Sequence, residues 1–158
     1  MSVYKKILLV LLILFMAIQF LQPTHNSGGQ VLPTDITKTV NIPDNVLGIL
    51  KTSCYDCHSN NTRYPWYVYI QPLGWIMARH IKEGKINLNF SDFGSYSKRR
   101  QVTKLRAIQT SITDGSMPLS SYTIMHAYAK LSAVDVKLIT EWTSIASDSL
   151  AQVTKETK

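Results

Sequence analysis

Cys54-Tyr55-Asp56-Cys57-His58 is the stretch of this 158-residue chain that decides its fold. On one turn of helix, two cysteines three positions apart face the same way, and the histidine follows directly after the second. This spacing brings two thiols within reach of the two vinyl groups of a haem, and an imidazole within reach of its iron. The pattern therefore predicts a covalently attached haem c on Cys54 and Cys57, with His58 as an iron ligand.

Three other uses of the two cysteines stay open, although haem is the favoured interpretation. The chain has only these two cysteines, and they can form a disulfide with each other in an oxidising compartment. A thioredoxin-like redox pair would follow a strand in a βαβ arrangement, which the sequence does not indicate. A zinc site would combine the cysteines with one or two histidines, but structural zinc usually recruits more thiolates.

A low-spin electron carrier needs a second axial ligand to the iron, usually methionine or histidine. Met117 is the first candidate, because Pro118 stiffens its loop and a flexible glycine precedes it; a methionine that merely packs on the core is the alternative. His80 is the alternative sixth ligand, on the face of a predicted helix. His126 is a third candidate, and His25 is not expected to reach the iron.

Arg63, Tyr64 and Trp66 follow the cysteine motif closely and are further candidates for cofactor binding. Each carries a hydrogen-bond donor, so each can donate to a haem propionate at the edge of the ring. Ordinary packing of the aromatic side chains is an equally good interpretation of the same cluster.

Helical periodicity dominates the chain after residue 40, and the sequence shows no strand pair and no internal repeat. Four helices are expected, at about residues 43–50, 73–82, 97–113 and from 132 onward. Asp44 is the expected cap of the first, and Ser132 with Asp135 forms a capping box for the last. Irregular loops are expected between them, at residues 60–71, 84–96 and 114–130.

The predicted fold class is therefore all-α: a bundle of short helices and long loops around a covalent haem, with an N-terminal apolar helix. The chain is long enough for one folded domain and a targeting segment. A haem buried between short helices adds apolar surface to a core that is otherwise small. The expected segments are a signal anchor or signal peptide at 1–22, a flexible tether at 23–39, a haem-binding domain at 40–146 and a polar C-terminal tail at 147–158.

The N-terminus has the pattern of an export signal, with Lys5 and Lys6 followed by an apolar run at residues 7–21. No small-x-small cleavage site follows, and no cysteine is available there for a lipid anchor. We therefore expect a single-pass anchored protein on the extracytoplasmic, periplasmic side of the inner membrane. A soluble periplasmic protein after signal cleavage is the alternative.

The formal net charge of +7 indicates a basic surface. Such a surface suits docking to an acidic redox partner protein or lying near anionic lipid, and export argues against a nucleic-acid partner. No catalytic dyad, nucleophile turn or phosphate-binding glycine loop occurs, so an electron carrier is expected rather than an enzyme.

With these motifs in place, the chain resembles the small haem-binding domain family found in many bacterial exported proteins, and more loosely the class I cytochromes c. The resemblance covers about residues 42–142. It implies a cytochrome c-like bundle and covalent haem through Cys54, Cys57 and His58. It also makes Met117-Pro118 similar to the distal loop of class I cytochromes c. It does not carry over a partner or a reaction. The matching positions are Cys54-Tyr55-Asp56-Cys57-His58-Ser59-Asn60, Tyr64-Pro65-Trp66-Tyr67, His80 with Gly84, Asn89-Phe90-Ser91, Met117-Pro118-Leu119, Tyr122, His126, Leu131-Ser132 and Glu141-Trp142.

The sequence thus predicts a c-type haem-binding protein that works as a membrane-tethered monohaem electron carrier. The alternative is a peroxidase-like haem enzyme, or a redox or gas sensor, in which His80 or His126 acts at an open distal site. A non-haem interaction module held together by a disulfide or zinc is the third possibility.

Overall fold

The computed structural model describes the backbone of residues 2–156 and the side-chain surroundings of residues 2–152. Within that range the regular structure is helical, with a single isolated antiparallel bridge between Ser27 and Asn61. The all-α prediction is confirmed. The α-helices are α1 (Val3–Ile18), α2 (Ile36–Thr39), α3 (Asp44–Ser53), α4 (Tyr55–His58), α5 (Leu73–Asn87), α6 (Lys98–Thr113), α7 (Ser120–Met125) and α8 (Ala133–Glu156), and short 3₁₀ helices lie at Trp66–Tyr69, Phe90–Ser95 and Ala127–Ala129.

Helices α6 and α8 pack against each other and form the centre of the larger core. The apolar residues of α6 recur at three- and four-residue steps, so Leu105, Ile108 and Ile112 lie on one face. They pack in one cluster with Ile139 and Trp142 of α8. The periodicity in the sequence therefore predicts correctly which face of α6 is buried.

A second, smaller core cluster contains Val68, Met77, Ile81, Tyr122 and Ala129. Helix α4 lies between the two clusters, because Cys54 packs against the larger one and Cys57 against the smaller one. The cysteine motif thus occupies the junction between both halves of the core.

The predicted start of the last helix is confirmed. Asp135 donates its backbone N–H to Ser132 Oγ at 3.2 Å, and Ser132 donates its own backbone N–H to Asp135 Oδ2 at 2.9 Å. These two reciprocal bonds satisfy backbone donors that a helix N-terminus leaves free. The predicted cap of α3 is wrong, because α3 begins after Pro43 and Asp44 lies inside its first turn.

Two of the predicted loops are partly α-helical. Helix α5 continues past Gly84 to Asn87, and residues 120–125 form α7. Gly84 is a helix-ending residue by propensity, but here it lies inside α5 because the contact with Cys57 requires a residue without a side chain. Propensity alone therefore places the end of α5 too early.

The predicted single-pass anchoring at the inner membrane is wrong. No helix within residues 2–156 is both long enough and apolar enough to cross a membrane. Helix α1 contains most of the apolar run, up to Ile18, but it has only 16 residues and two of them are Lys5 and Lys6.

The segment predicted as a flexible tether makes specific contacts with the domain. Gly28 donates its backbone N–H to the carbonyl oxygen of Asn60 at 2.8 Å, and the Asn26 side chain donates to the Ser59 carbonyl at 2.8 Å. Ile36 is fully buried in the larger core cluster.

At the other end of the chain, α8 continues into the predicted polar tail, and Leu150 packs in the core. Met1 and residues 157–158, which belong to the predicted terminal segments, lie outside the described residues. The division of the chain at residues 22, 39 and 146 stays a prediction.

Candidate functional site

The cysteine motif forms a one-turn helix directly after a break in the chain. Helix α3 ends at Ser53, and Cys54 adopts φ −126° and ψ −39° before α4 begins. The carbonyl oxygen of Cys54 then accepts hydrogen bonds from the backbone N–H groups of Cys57 at 3.2 Å and His58 at 3.0 Å. This turn holds the two thiols and the imidazole on adjoining positions of one short element.

A cleft opens beside α4 and consists of two adjoining volumes of about 150 and about 340 Å³. The larger of the two lies within the range of roughly 300–1,000 Å³ that is typical of sites for small molecules and cofactors. The residues that line both volumes are Ser53, Cys54, His58, Asn87, Met117 and Pro118.

The cleft brings together the principal candidate residues of the sequence. Cys54, His58 and Met117 line both of its volumes, and Cys57 and His80 line the smaller one. The rest of its wall is largely apolar, as a buried porphyrin requires. Its apolar wall residues include Leu88, Phe90, Ala107, Ile108, Ile112, Leu119 and Tyr122.

The imidazole of His58 is oriented by a backbone group. Its Nδ1 atom lies 3.0 Å from the carbonyl oxygen of Leu88. A carbonyl oxygen can only accept, so Nδ1 carries the hydrogen and Nε2 keeps a free lone pair. Burial lowers the pKa of His58, against the opposing effect of the Leu88 and Gly84 carbonyls. The ring is therefore neutral at pH 7, which is the state that binds a metal.

Both cysteines are free thiols with raised pKa values. Burial raises the pKa of Cys54 to about 12, and the neighbouring Cys57 adds to the shift. Burial also raises the pKa of Cys57 to about 11, helped by the charge of Asp56. Thiols of this kind are protonated at pH 7, whereas a thioredoxin-like pair needs a reactive thiolate.

The smaller volume of the cleft depends on a close approach between α4 and α5. A Cβ atom on Gly84 would lie only 2.6 Å from the carbonyl oxygen of Cys57, so a larger residue does not fit without moving the backbone. Around this glycine, α5 presents His80, Glu83 and Asn87 to the cleft at helical spacing.

A buried carboxylate inside the motif anchors one wall of the cleft. Asp56 is 5% exposed and accepts a hydrogen bond from the hydroxyl of Tyr122 at 2.7 Å. It also accepts from the backbone N–H of Arg63 at 3.1 Å and forms an ion pair with the Arg63 guanidinium at 3.3 Å. Burial, followed by the Asp56 hydrogen bond, raises the pKa of Tyr122, which keeps its proton and lines the cleft.

The sequence interpretation assigned no role to the side chain of Asp56 or to that of Tyr122. The available signal was a carboxylate placed between the two cysteines of the motif, because a charged side chain that becomes buried there needs partners.

The other candidates lie away from the cleft walls. Arg63 is engaged by Asp56, and Trp66 is 74% exposed. The hydroxyl of Tyr64 accepts a hydrogen bond from the backbone N–H of Asn26 at 2.6 Å. None of these three side chains lines either volume of the cleft, and their contact with a cofactor stays a prediction.

His126 is buried rather than presented to the cleft. Its ring stacks on Tyr122 with centroids 4.1 Å apart, and its Nε2 lies 3.2 Å from the hydroxyl of Tyr67. His25 stacks on Tyr64 at 4.3 Å, also outside the cleft. Of the histidines other than His58, His80 is the one on the cleft wall.

The family follows from a comparison with known protein families, in which residues 13–145 match the haem-binding domain. The chain belongs to the haem-binding domain family. The resemblance inferred from the motifs is thereby confirmed, and haem is the ligand of this protein. No curated protein and no solved structure gives a match.

The cleft of this haem-binding domain suits a haem both in its apolar walls and in the side chains that it offers as iron ligands. Within the described residues, no three His, Cys, Asp or Glu side chains are grouped to hold a bare metal ion. An iron already held by a porphyrin needs only one or two axial ligands, and His58 offers a free Nε2 for that purpose.

Proposed function

We propose that this haem-binding protein is a monohaem electron carrier with a c-type haem attached to Cys54 and Cys57 and ligated by His58. One observation carries the proposal: the two thiols and the neutral imidazole line a single cleft together with Met117. The family supplies the haem, and the spacing of the motif supports covalent attachment.

The attachment requires no oxidant. Each thiol would add across one vinyl group of a bound haem, so that the sulfur would bond to one vinyl carbon and the proton would end on the other. Electrons are conserved in this addition, and two thioethers replace two protonated thiols. The free, half-buried thiols of Cys54 and Cys57 are the required reactants.

Met117 is proposed as the sixth ligand. The end of α6 and the following turn hold its backbone, since the N–H of Met117 donates to the carbonyl oxygen of Ser111 at 3.0 Å. The bound haem supplies a reversible one-electron change at its iron. A thioether ligand favours the ferrous state and raises the reduction potential relative to a second imidazole.

His80 supports a second candidate function, because it lines the same cleft. If His80 rather than Met117 faced the open side of the iron, it would be the one histidine placed to act as an acid or base on bound peroxide. His126 does not support this function, since Tyr122 and Tyr67 enclose it.

Reduced-minus-oxidised spectra of the wild type, Met117→Ala and His80→Ala test these functions together. An electron carrier gives a low-spin wild-type spectrum, and Met117→Ala gives a high-spin ferrous form that binds carbon monoxide. His80→Ala keeps the wild-type spectrum. Loss of the low-spin form in His80→Ala alone would assign the sixth ligand to His80. If the wild type is high-spin and turns over peroxide, and this turnover disappears in His80→Ala, the protein is a haem enzyme and the electron-carrier proposal is wrong.

A further inference from the structure

Helix α6 carries an unusual concentration of positive charge. It contains five basic residues and no acidic residue over its whole length. None of these basic side chains forms an ion pair with any residue that the structure describes. The five are Lys98, Arg99, Arg100, Lys104 and Arg106.

These charges do not stabilise the helix that carries them. Lys98, Arg99 and Arg100 occupy its first turn, where the helix dipole is positive and acidic residues are preferred. Arg100 and Lys104 are four residues apart, a spacing at which like charges repel on a helix. Folding therefore gives no reason for this arrangement, which points to an interaction outside the chain.

One stripe of α6 runs along the cleft. Lys104, Ala107 and Ser111 line the larger volume, and Arg100 precedes Lys104 by four residues on the same face. The guanidinium of Arg100 lies 4.5 Å from the centre of the Tyr96 ring, which holds it at the start of this stripe.

The charge beside the cleft is not neutralised by the cleft itself. Glu83 is the acidic residue that lines the cleft, and Arg79 pairs with it at 2.8 Å. Among the described residues that line the cleft, Lys104 therefore carries a charge that no acidic side chain neutralises. The other four cations lie on the same helix, and a helix is only about 10–12 Å wide. At ordinary ionic strength this is close to the Debye length of about 10 Å, so the five charges act together on an approaching molecule.

We propose that the exposed face of α6 around Arg100 and Lys104, the α6 surface, docks an acidic redox protein that exchanges one electron with this protein at the cleft. In the reducing direction the partner loses one electron and the ferric iron becomes ferrous. This inference rests on the proposed electron-carrier function and adds the place and the charge of the partner. A protein partner is favoured over a lipid surface or a nucleic acid because the charged stripe follows the cleft, where only a redox molecule has a reason to dock.

Stopped-flow reduction of the ferric protein by an acidic flavodoxin hydroquinone tests the α6 surface. At low ionic strength, R100E/K104E slows reduction by roughly tenfold or more, and high salt removes the difference. K38E/K130E carries the same change of net charge away from the cleft and keeps a rate close to the wild type. Equal rates for both double variants would overturn the proposal.

A second charge reversal separates docking from misfolding. K98E/R99E places acidic residues in the first turn of α6, where they favour the helix. This variant is expected to be at least as stable as the wild type and still to be reduced more slowly by flavodoxin. A slower rate found only in R100E/K104E, with a changed haem spectrum, would assign the effect to the cleft and overturn the docking inference.

Two further measurements distinguish the remaining outcomes. Reduction by dithionite needs no docking, so a protein that dithionite cannot reduce reversibly refutes the electron-carrier function itself. Co-sedimentation with phosphatidylglycerol vesicles examines a lipid surface. If R100E/K104E loses vesicle binding but is reduced by flavodoxin at the wild-type rate, the α6 surface binds a membrane and the proposed acidic protein partner is wrong.

Discussion

The Nδ1 atom of His58 lies 3.0 Å from the carbonyl oxygen of Leu88, the residue that follows directly after α5. Since the carbonyl accepts the ring proton, the bond fixes both the tautomer and the plane of the imidazole. Leu88 is itself buried against the larger core cluster. The orientation of the proposed iron ligand is thus determined by a backbone position 30 residues away in the sequence.

Replacement of His58 by glycine separates ligation from attachment. In His58→Gly the haem is expected to remain on Cys54 and Cys57, while its spectrum changes from low-spin to high-spin. Imidazole added to the solution restores the low-spin spectrum by taking the vacated position. His25→Gln is the control and leaves the spectrum unchanged. A low-spin His58→Gly protein in the absence of imidazole would show that His58 is not the proximal ligand.

Two glycine replacements are expected to have opposite effects on stability, because Gly84 lies at the close contact between α4 and α5 and Gly48 lies in open space. Gly84→Ala places a methyl group 2.6 Å from the Cys57 carbonyl oxygen and is expected to lower the free energy of unfolding by about 1–3 kcal/mol. Gly48→Ala, in the open middle of α3, has no atom within 4 Å of the new Cβ and is expected to raise it by about 0.5–1 kcal/mol. Urea denaturation measures both. An unaltered stability in Gly84→Ala would show that α4 and α5 are further apart.

The Asp56–Tyr122 hydrogen bond predicts a specific loss of stability. Tyr122→Phe leaves a buried carboxylate without one of its donors and is expected to cost about 1–3 kcal/mol in urea denaturation. Tyr128→Phe alters an exposed tyrosine and is expected to change stability by less than about 0.5 kcal/mol. If both changes cost the same, the hydroxyl of Tyr122 does not contribute through Asp56.

A double-mutant cycle with Asp56→Asn identifies the interaction itself. The cost of Tyr122→Phe should shrink when Asp56 is already neutral, because the charged acceptor is gone. Additive costs in the double variant would mean that the two side chains act independently.

The raised pKa values of the thiols predict slow alkylation of the folded protein prepared without haem. A pKa of about 12 at Cys54 lowers the thiolate fraction at pH 8 by roughly a thousandfold relative to an ordinary cysteine. Iodoacetamide should therefore label the native protein slowly and the urea-denatured protein quickly. Rapid labelling of the native form would show that the thiols are exposed or activated.

Much of the fold could be predicted from local patterns. The core face of α6 follows from the spacing of Leu105, Ile108 and Ile112, and the start of α8 follows from the Ser132–Asp135 capping box. The extension of α5 could not be predicted in this way, because Gly84 lies in the helix for a tertiary reason, its contact with Cys57. The prediction of membrane anchoring was wrong, because an apolar run indicates burial in lipid only if the helix that contains it is long enough.

The candidate site, too, could be predicted only where it depends on local sequence. Cys54, Cys57 and His58 are adjacent in sequence, so their spacing alone places them on one turn. The approach of Met117 and His80 to the same cleft depends on how α5 and the segment after α6 pack, which no local pattern encodes. The partners of Asp56 and His126 are likewise tertiary. No local pattern distinguishes the enclosed His126 from His80, which lines the cleft.

The mass of the denatured polypeptide tests the central claim most directly. The purified haem protein is denatured, extracted with acid acetone and measured by intact-protein mass spectrometry. The proposed attachment predicts a mass increased by one haem and no cysteine available to iodoacetamide, whereas a C54S/C57S variant loses its haem to the solvent. A wild-type chain that returns to its unmodified mass, with two thiols open to alkylation, would contradict covalent attachment at Cys54 and Cys57.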